Sequence, residues 1–126
     1  MITLFFAYKN YCHTLVLYVI TGVPDEFGYA RVNHRDDVIL PCHVTPNAAT
    51  NVTWLHRQRP HSYFFLYEIY VNGLIYKNLR HRFSIRNATV GDYTLIIRNI
   101  WPTDAGRYRC FSRQKLLQNY VIYVVG

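Results

Sequence analysis

Seven residues near the carboxyl end constrain this chain more than any others: Asp104-Ala105-Gly106-Arg107-Tyr108-Arg109-Cys110, which reads D-x-G-x-Y-x-C. A turn at Trp101-Pro102-Thr103-Asp104 leads into a strand. Period-two alternation puts Tyr108 and Cys110 on one side of that strand, and Arg109 and Phe111 on the other. Far upstream, Val38, Leu40 and Cys42 alternate with Ile39 and Pro41, so one face of that segment is apolar. Then Val52-Thr53-Trp54-Leu55-His56 places Val52, Trp54 and His56 on a common side.

The rest of the chain follows the same grammar of short strands and turn residues, the spacing of an all-β sandwich. Residues 46–51 form a turn, Arg59-Pro60-His61-Ser62 breaks the chain, and residues 63–71 are an aromatic-rich strand. Asn72-Gly73 then reads as a tight hairpin, because both residue types tolerate positive φ. Leu74-Ile75-Tyr76 returns, and Arg82-Phe83-Ser84-Ile85-Arg86 follows. Tyr93, Leu95 and Ile97 face a core, with Thr94, Ile96 and Arg98 turned away and Ile100 closing it. The last strand is expected over 120–125, after a short loop over 113–119. No amphipathic helix of useful length and no repeat occurs. With 126 residues the chain holds one domain. At 51% hydrophobic and 17% aromatic it can pack a core rather than stay disordered.

The order Cys42, Trp54, D-x-G-x-Y-x-C resembles an immunoglobulin domain of the variable type, over about residues 30 to 125. The interval from Trp54 to Cys110 holds enough chain for two extra edge strands, and Arg82-Phe83-Ser84 and Asp92-Tyr93-Thr94-Leu95 resemble strands D and E of that family. The resemblance implies a two-sheet Greek-key sandwich with a disulfide between Cys42 and Cys110. It implies Trp54 packed on that bridge, in a core with Leu40, Leu95 and Ile97. Tyr108 would be a tyrosine corner, and Arg82 would pair with Asp104. Two departures matter. Gln118-Asn119-Tyr120-Val121-Ile122 lacks the Phe-Gly-x-Gly bulge of rearranging antigen receptors, and the Gln that often follows the strand C Trp is displaced by one, at Gln58. The chain is therefore more similar to non-rearranging variable-type domains of cell-surface receptors, such as butyrophilin-like, adhesion and polymeric-immunoglobulin-receptor-like proteins.

Such domains are binding modules. The expected function is recognition of a protein partner through the front sheet, in an adhesion or immune-type receptor. The expected contact residues are Leu55, Arg57, Arg109 and Phe111, with Tyr67 and Tyr70 at the aromatic edge, a mixture suited to protein interfaces. Variable-type domains often pair through this sheet, which leaves a homodimer open. Two alternatives stand beside this reading. One is a carbohydrate or other anionic ligand, although the position where sialic-acid binders of this fold carry an Arg is Phe111. The other is a structural module or truncated product of a longer adhesion protein.

Residues 1–22 resemble an imperfect signal peptide with cleavage near Gly22, leaving 23–126 as the domain. Cys12 falls in that segment and is the thiol left over from an odd count. An oxidising, extracellular location follows, as a secreted protein or a surface ectodomain. Asn51-Val52-Thr53 and Asn87-Ala88-Thr89 are N-glycosylation sequons. No apolar stretch is long and clean enough to span a bilayer, so an anchor, if the native protein has one, lies outside this sequence. The formal charge of +7 is spread rather than blocked, which disfavours nucleic acid. His13, His34, His43, His56, His61 and His81 show no ligand spacing, so no metal is expected. Asp36 and Asp37 are adjacent and face opposite sides, so they cannot flank one substrate bond. No nucleophile-base pair or phosphate loop is recognisable, and neither catalysis nor a cofactor is expected.

Overall fold

The computed structural model describes the backbone of residues 4–10 and 15–21, and residues 28–45, 51–58 and 66–126 in full. Cys12, the cleavage position at Gly22, the turn at 46–50, the break at 59–62 and the start of the aromatic run at 63–65 lie outside the described residues.

The strands run β1 Leu4–Asn10, β2 Leu15–Thr21, β3 Gly28–Asn33, β4 Asp37–Leu40, β5 Val52–Gln58 and β6 Leu66–Val71. They continue with β7 Leu74–Ile75, β8 Phe83–Asn87, β9 Asp92–Ile97, β10 Gly106–Ser112 and β11 Lys115–Val125. Two sheets form, a back sheet in the order β1-β2-β4-β9-β8 and a front sheet in the order β3-β11-β10-β5-β6-β7. Most pairs are antiparallel; β2 with β4 and β3 with β11 are parallel. The only helical turns among the described residues are short 3-10 segments, and none is long and apolar enough to cross a membrane.

The core lies between the sheets, because alternation turns one side of each strand inward. Leu40, Leu95, Ile97, Trp54, Tyr108, Tyr120 and Ile122 are fully buried. Cys42, just past β4, is bonded to Cys110 on β10, which ties the back sheet to the front sheet. On the neighbouring strand Trp54 sits directly across from Cys110. The indole N–H donates to the Tyr93 carbonyl at 2.7 Å, and the indole stacks on Tyr120 with ring centres 6.2 Å apart. A buried Trp needs such a partner for its one polar atom.

Below the disulfide the chain turns through Trp101, Pro102, Thr103 and Asp104. The Tyr108 hydroxyl donates back to the Asp104 carbonyl; burial, with the nearby Asp104 charge, pushes that phenol well above its ordinary value. Gly106 opens β10 at φ 132, a conformation side chains rarely adopt, which is why a glycine stands two residues after Asp104. The Asp104 carboxylate receives Arg82 in a bidentate pair, at 2.6 and 3.0 Å, and accepts the Trp101 amide at 2.7 Å. In the hairpin between β6 and β7, Asn72 and Gly73 have φ of 54 and 82, so both central residues are left-handed as a primed turn requires.

Three expectations change. The last strand starts at Lys115 rather than at 120, and its connection to β10 is the pair Arg113-Gln114 rather than 113–119. Lys115-Leu116-Leu117-Gln118-Asn119 show no period-two alternation that would mark a strand, and pairing with β10 extends it over them. Thr94, expected outside, is fully buried; its hydroxyl and amide are satisfied by the Asp92 carboxylate. Tyr70, expected on the binding edge, packs in the core at 7% exposure, directly across from Trp54.

His56 is the inward polar residue of β5. Its ring stacks flat on Tyr108 at 4.2 Å, and its Nε2 lies 2.9 Å from the Ala105 carbonyl, which accepts from it in that tautomer. Burial pushes the imidazole below its ordinary 6.5, offset only in part by that hydrogen bond and by the Asp104 charge. The folded state therefore resists the proton that the unfolded chain accepts. Stability is complete above the unfolded value of 6.5 and falls as pH drops below it, by at most about 1.4 kcal/mol per pH unit for one proton. Urea unfolding from pH 7.5 down to pH 5 should show this loss, and His56→Gln should flatten it. An unchanged slope in that variant would assign the loss to other groups.

Candidate functional site

The front sheet offers its outer side as the candidate site, because strand register lines its outward side chains into rows. Arg57 on β5 stands directly across from Arg107 on β10, and Arg107 across from Val121 on β11. Val121 in turn faces Tyr29 on β3. In the next row Glu68 on β6 faces Leu55, Leu55 faces Arg109, and Arg109 faces Asn119. Phe111 faces Thr53 and Leu116 above them, beside a bulge between Cys110 and Phe111.

Four of the six residues expected to bind a partner come together here: Leu55, Arg57, Arg109 and Phe111. Arg57 is exposed and the other three are partly so. The Arg109 guanidinium lies over the Phe111 ring at 5.7 Å, a cation-π contact that fixes the long side chain across the face. Partial burial, then the neighbouring Arg57 and Arg107, pull Arg109 below its ordinary value. The other two do not join. Tyr70 is in the core, and Tyr67 stands on the inner side of β6 across from His56, its ring 6.0 Å from the imidazole and its edge exposed.

The reason is a register shift. Trp54 pairs with Tyr70, but the next residue, Leu55, pairs with Glu68, so Ile69 is the extra residue of a bulge. Residues 67 and 70 would face opposite sides of a regular strand; the bulge turns both inward. Reading residues singly also missed Arg107, Asn119 and Tyr29. The first was visible as the residue alternating with Arg109. Asn119 is buried on the outer side, and its Oδ1 has no hydrogen-bond donor among the described residues, which leaves polar capacity unused in the middle of the face. Tyr29 leans on Tyr123 with ring centres 5.2 Å apart.

A cleft of about 590 Å³ opens at the lower edge, lined among others by His56, Tyr67, Leu79, Arg82 and Asp104. Arg82 is engaged there with Asp104, and His56 with a backbone carbonyl, while Glu68 lines the cleft from β6. Among the described residues no cluster of three His, Cys, Asp or Glu could hold a metal. Asp36 and Asp37 each hold a turn, accepting the Asn33 and Asn99 amides at 3.0 and 2.9 Å.

The immunoglobulin V-set domain family matches residues 29–121. None of the curated proteins matches the chain in sequence. Among solved structures, the first immunoglobulin domain of Dpr1, determined bound to the first immunoglobulin domain of DIP-eta, is similar with a TM-score of 0.62 and 24% identity. That match covers 81% of this chain and 92% of the other. Drosophila Semaphorin 2a is similar at TM-score 0.54 and 26% identity over 78% of this chain, which spans only 14% of that protein's length. The first immunoglobulin domain of the mouse polymeric immunoglobulin receptor gives 0.60 and 17% identity, over 76% of this chain and 88% of that one.

Proposed function

Because the chain belongs to the immunoglobulin V-set family, a non-catalytic binding fold with the bridged sandwich typical of extracellular proteins, we propose that it is the binding module of an immune-type or adhesion receptor. It recognises a protein partner through the outer side of the front sheet. One observation carries this reading: Leu55, Arg57, Arg109 and Phe111 meet on two adjacent central strands, outward and at least partly exposed. Phe and Arg supply large contact area there, and the cation-π contact at 5.7 Å between Arg109 and Phe111 limits the entropy that binding must remove. The similar Dpr1 domain, which is bound to another immunoglobulin domain, makes a partner of the same class a reasonable first probe.

The same reading places the chain outside the cell, with Asn51 and Asn87 carrying glycans and residues 1–22 serving as a signal peptide, whose removal takes β1 and β2 from the back sheet and leaves β4 at its edge. Both asparagines are exposed. The Thr89 hydroxyl donates to the Asn87 side-chain carbonyl at 2.7 Å, so the sequon is already folded on itself. Asn87 ends β8 at the edge of the back sheet, where a glycan leaves the front sheet open.

The test is a multimerised domain applied to an array of recombinant immunoglobulin-type ectodomains. A specific partner is expected, with Leu55→Ala and Phe111→Ala each weakening it by about tenfold or more. Arg86→Ala, on the back sheet, should leave it unchanged. Binding that survives both front-sheet substitutions removes the front-sheet reading.

A further inference from the structure

We propose that the cleft at the lower edge is a second binding site, which takes an arginine side chain presented on an extended segment of a partner protein. It goes beyond the front-sheet reading and does not depend on it. The front-sheet strands β5 and β6 line the cleft on one side, and the back-sheet strand β8 with the 3-10 turn Lys77–Leu79 lines it on the other. The cleft is thus formed where the two sheets part, not on the outer side of either.

Its lining is amphipathic. Leu66, Tyr67 and Tyr76 are 46, 42 and 56% exposed, and Leu79 and Phe83 add further apolar surface. Single exposed apolar residues are ordinary, but three gathered around one recess mark a place where a partner is received. The volume of about 590 Å³ lies in the range of sites that hold a small ligand or a few residues. An occupant of that size brings neighbouring side chains as well as one charged group.

The polar groups of the lining choose which charge. Arg82 and Asp104 neutralise each other through their bidentate pair at 2.6 and 3.0 Å. Burial holds the His56 imidazole below its ordinary 6.5, so it is uncharged at neutral pH. Glu68 is exposed and brings a carboxylate to the lining. Lys77 and Arg80, the basic residues nearest Tyr76 in the chain, line a neighbouring groove of about 350 Å³. A carboxylate and two tyrosines around one recess suit a guanidinium, which lies flat on aromatic rings and pairs with a carboxylate through two parallel hydrogen bonds. An anionic group would meet Glu68 as a like charge. A wholly apolar one would take water from Glu68 and return no hydrogen bond. Apolar residues beside the arginine then cover Leu66, Leu79 and Phe83.

The probe is the capped tripeptide acetyl-Leu-Arg-Leu-amide, titrated into the nitrogen-15-labelled protein and followed by amide chemical shifts. The same peptide with citrulline for arginine keeps the shape and removes the charge. The arginine peptide should shift the amides of Glu68, Tyr76 and Leu79, and the citrulline peptide should bind about fivefold more weakly or worse. Glu68→Gln and Tyr76→Ala should each weaken the arginine peptide about threefold. Both positions are exposed, and thermal unfolding checks each variant, so that damage to one leaves the other to decide. Shifts that spare the cleft, equal binding of the citrulline peptide, or binding unchanged in a folded Glu68→Gln protein would each overturn the proposal. The ectodomain array reads the front sheet separately. A partner there that Leu55→Ala and Phe111→Ala weaken, beside a tripeptide that leaves the cleft untouched, removes this site and keeps the front-sheet reading.

Discussion

Replacing Cys42 and Cys110 together by Ala should lower the unfolding free energy by about 4 kcal/mol, the value expected for freeing a loop of this size. The bridge joins residues 68 apart in sequence, so it removes many extended conformations from the unfolded chain. Domains of this kind are stable by only about 5–15 kcal/mol in total, so the loss is a large share. Both cysteines are fully buried, and Trp54 stands across from Cys110; the paired substitution leaves no stray thiol there and disturbs packing little. Denaturant unfolding of the oxidised wild type and the double variant, each extrapolated to zero denaturant with its own slope, measures the difference. A loss below about 1 kcal/mol would show that the two sheets are held by packing alone.

Asp104→Ala should cost about 3–5 kcal/mol, because it strands a buried positive charge. The Arg82 and Asp104 side chains are only 15% and 8% exposed. Removing the carboxylate leaves the guanidinium without its bidentate partner and the Trp101 amide without its acceptor. Adding Arg82→Met should recover part of the loss, since an apolar pair avoids the uncompensated charge. The coupling from the double-mutant cycle separates the pair from its surroundings. If Asp104→Ala unfolds at the wild-type midpoint, the pair contributes nothing to stability and the argument from burial fails.

Much of the fold was legible because its determinants are local. Alternation alone put Val52, Trp54 and His56 on one side and Tyr108 and Cys110 on another, and all five are buried. Asn72-Gly73 announced its hairpin through φ values that few other residue pairs accept. The front face was partly legible for the same reason, since residues next to inward ones must point out. Legibility ended where spacing was irregular or uniformly apolar. No residue marks the bulge that turns Tyr67 and Tyr70 inward, because it arises from pairing between β5 and β6. Thr94 looked like an outward residue, and its bond to Asp92 satisfies the hydroxyl that burial takes from water.

What the amino-acid order settled by itself was which side chains share a strand side, where the chain must turn, and that two cysteines, a tryptophan and a D-x-G-x-Y-x-C stretch occur together. These are properties of neighbours along the chain, dictated by backbone geometry. What only the tertiary structure decided was who faces whom: Arg57 against Arg107, Trp54 against Tyr70, and Cys42 within reach of Cys110. Register is the reason. Sliding one strand past another by a single residue conserves every local preference and reverses every cross-strand partner. The charge pattern on the outer side of the front sheet is therefore written in the pairing of strands distant in sequence.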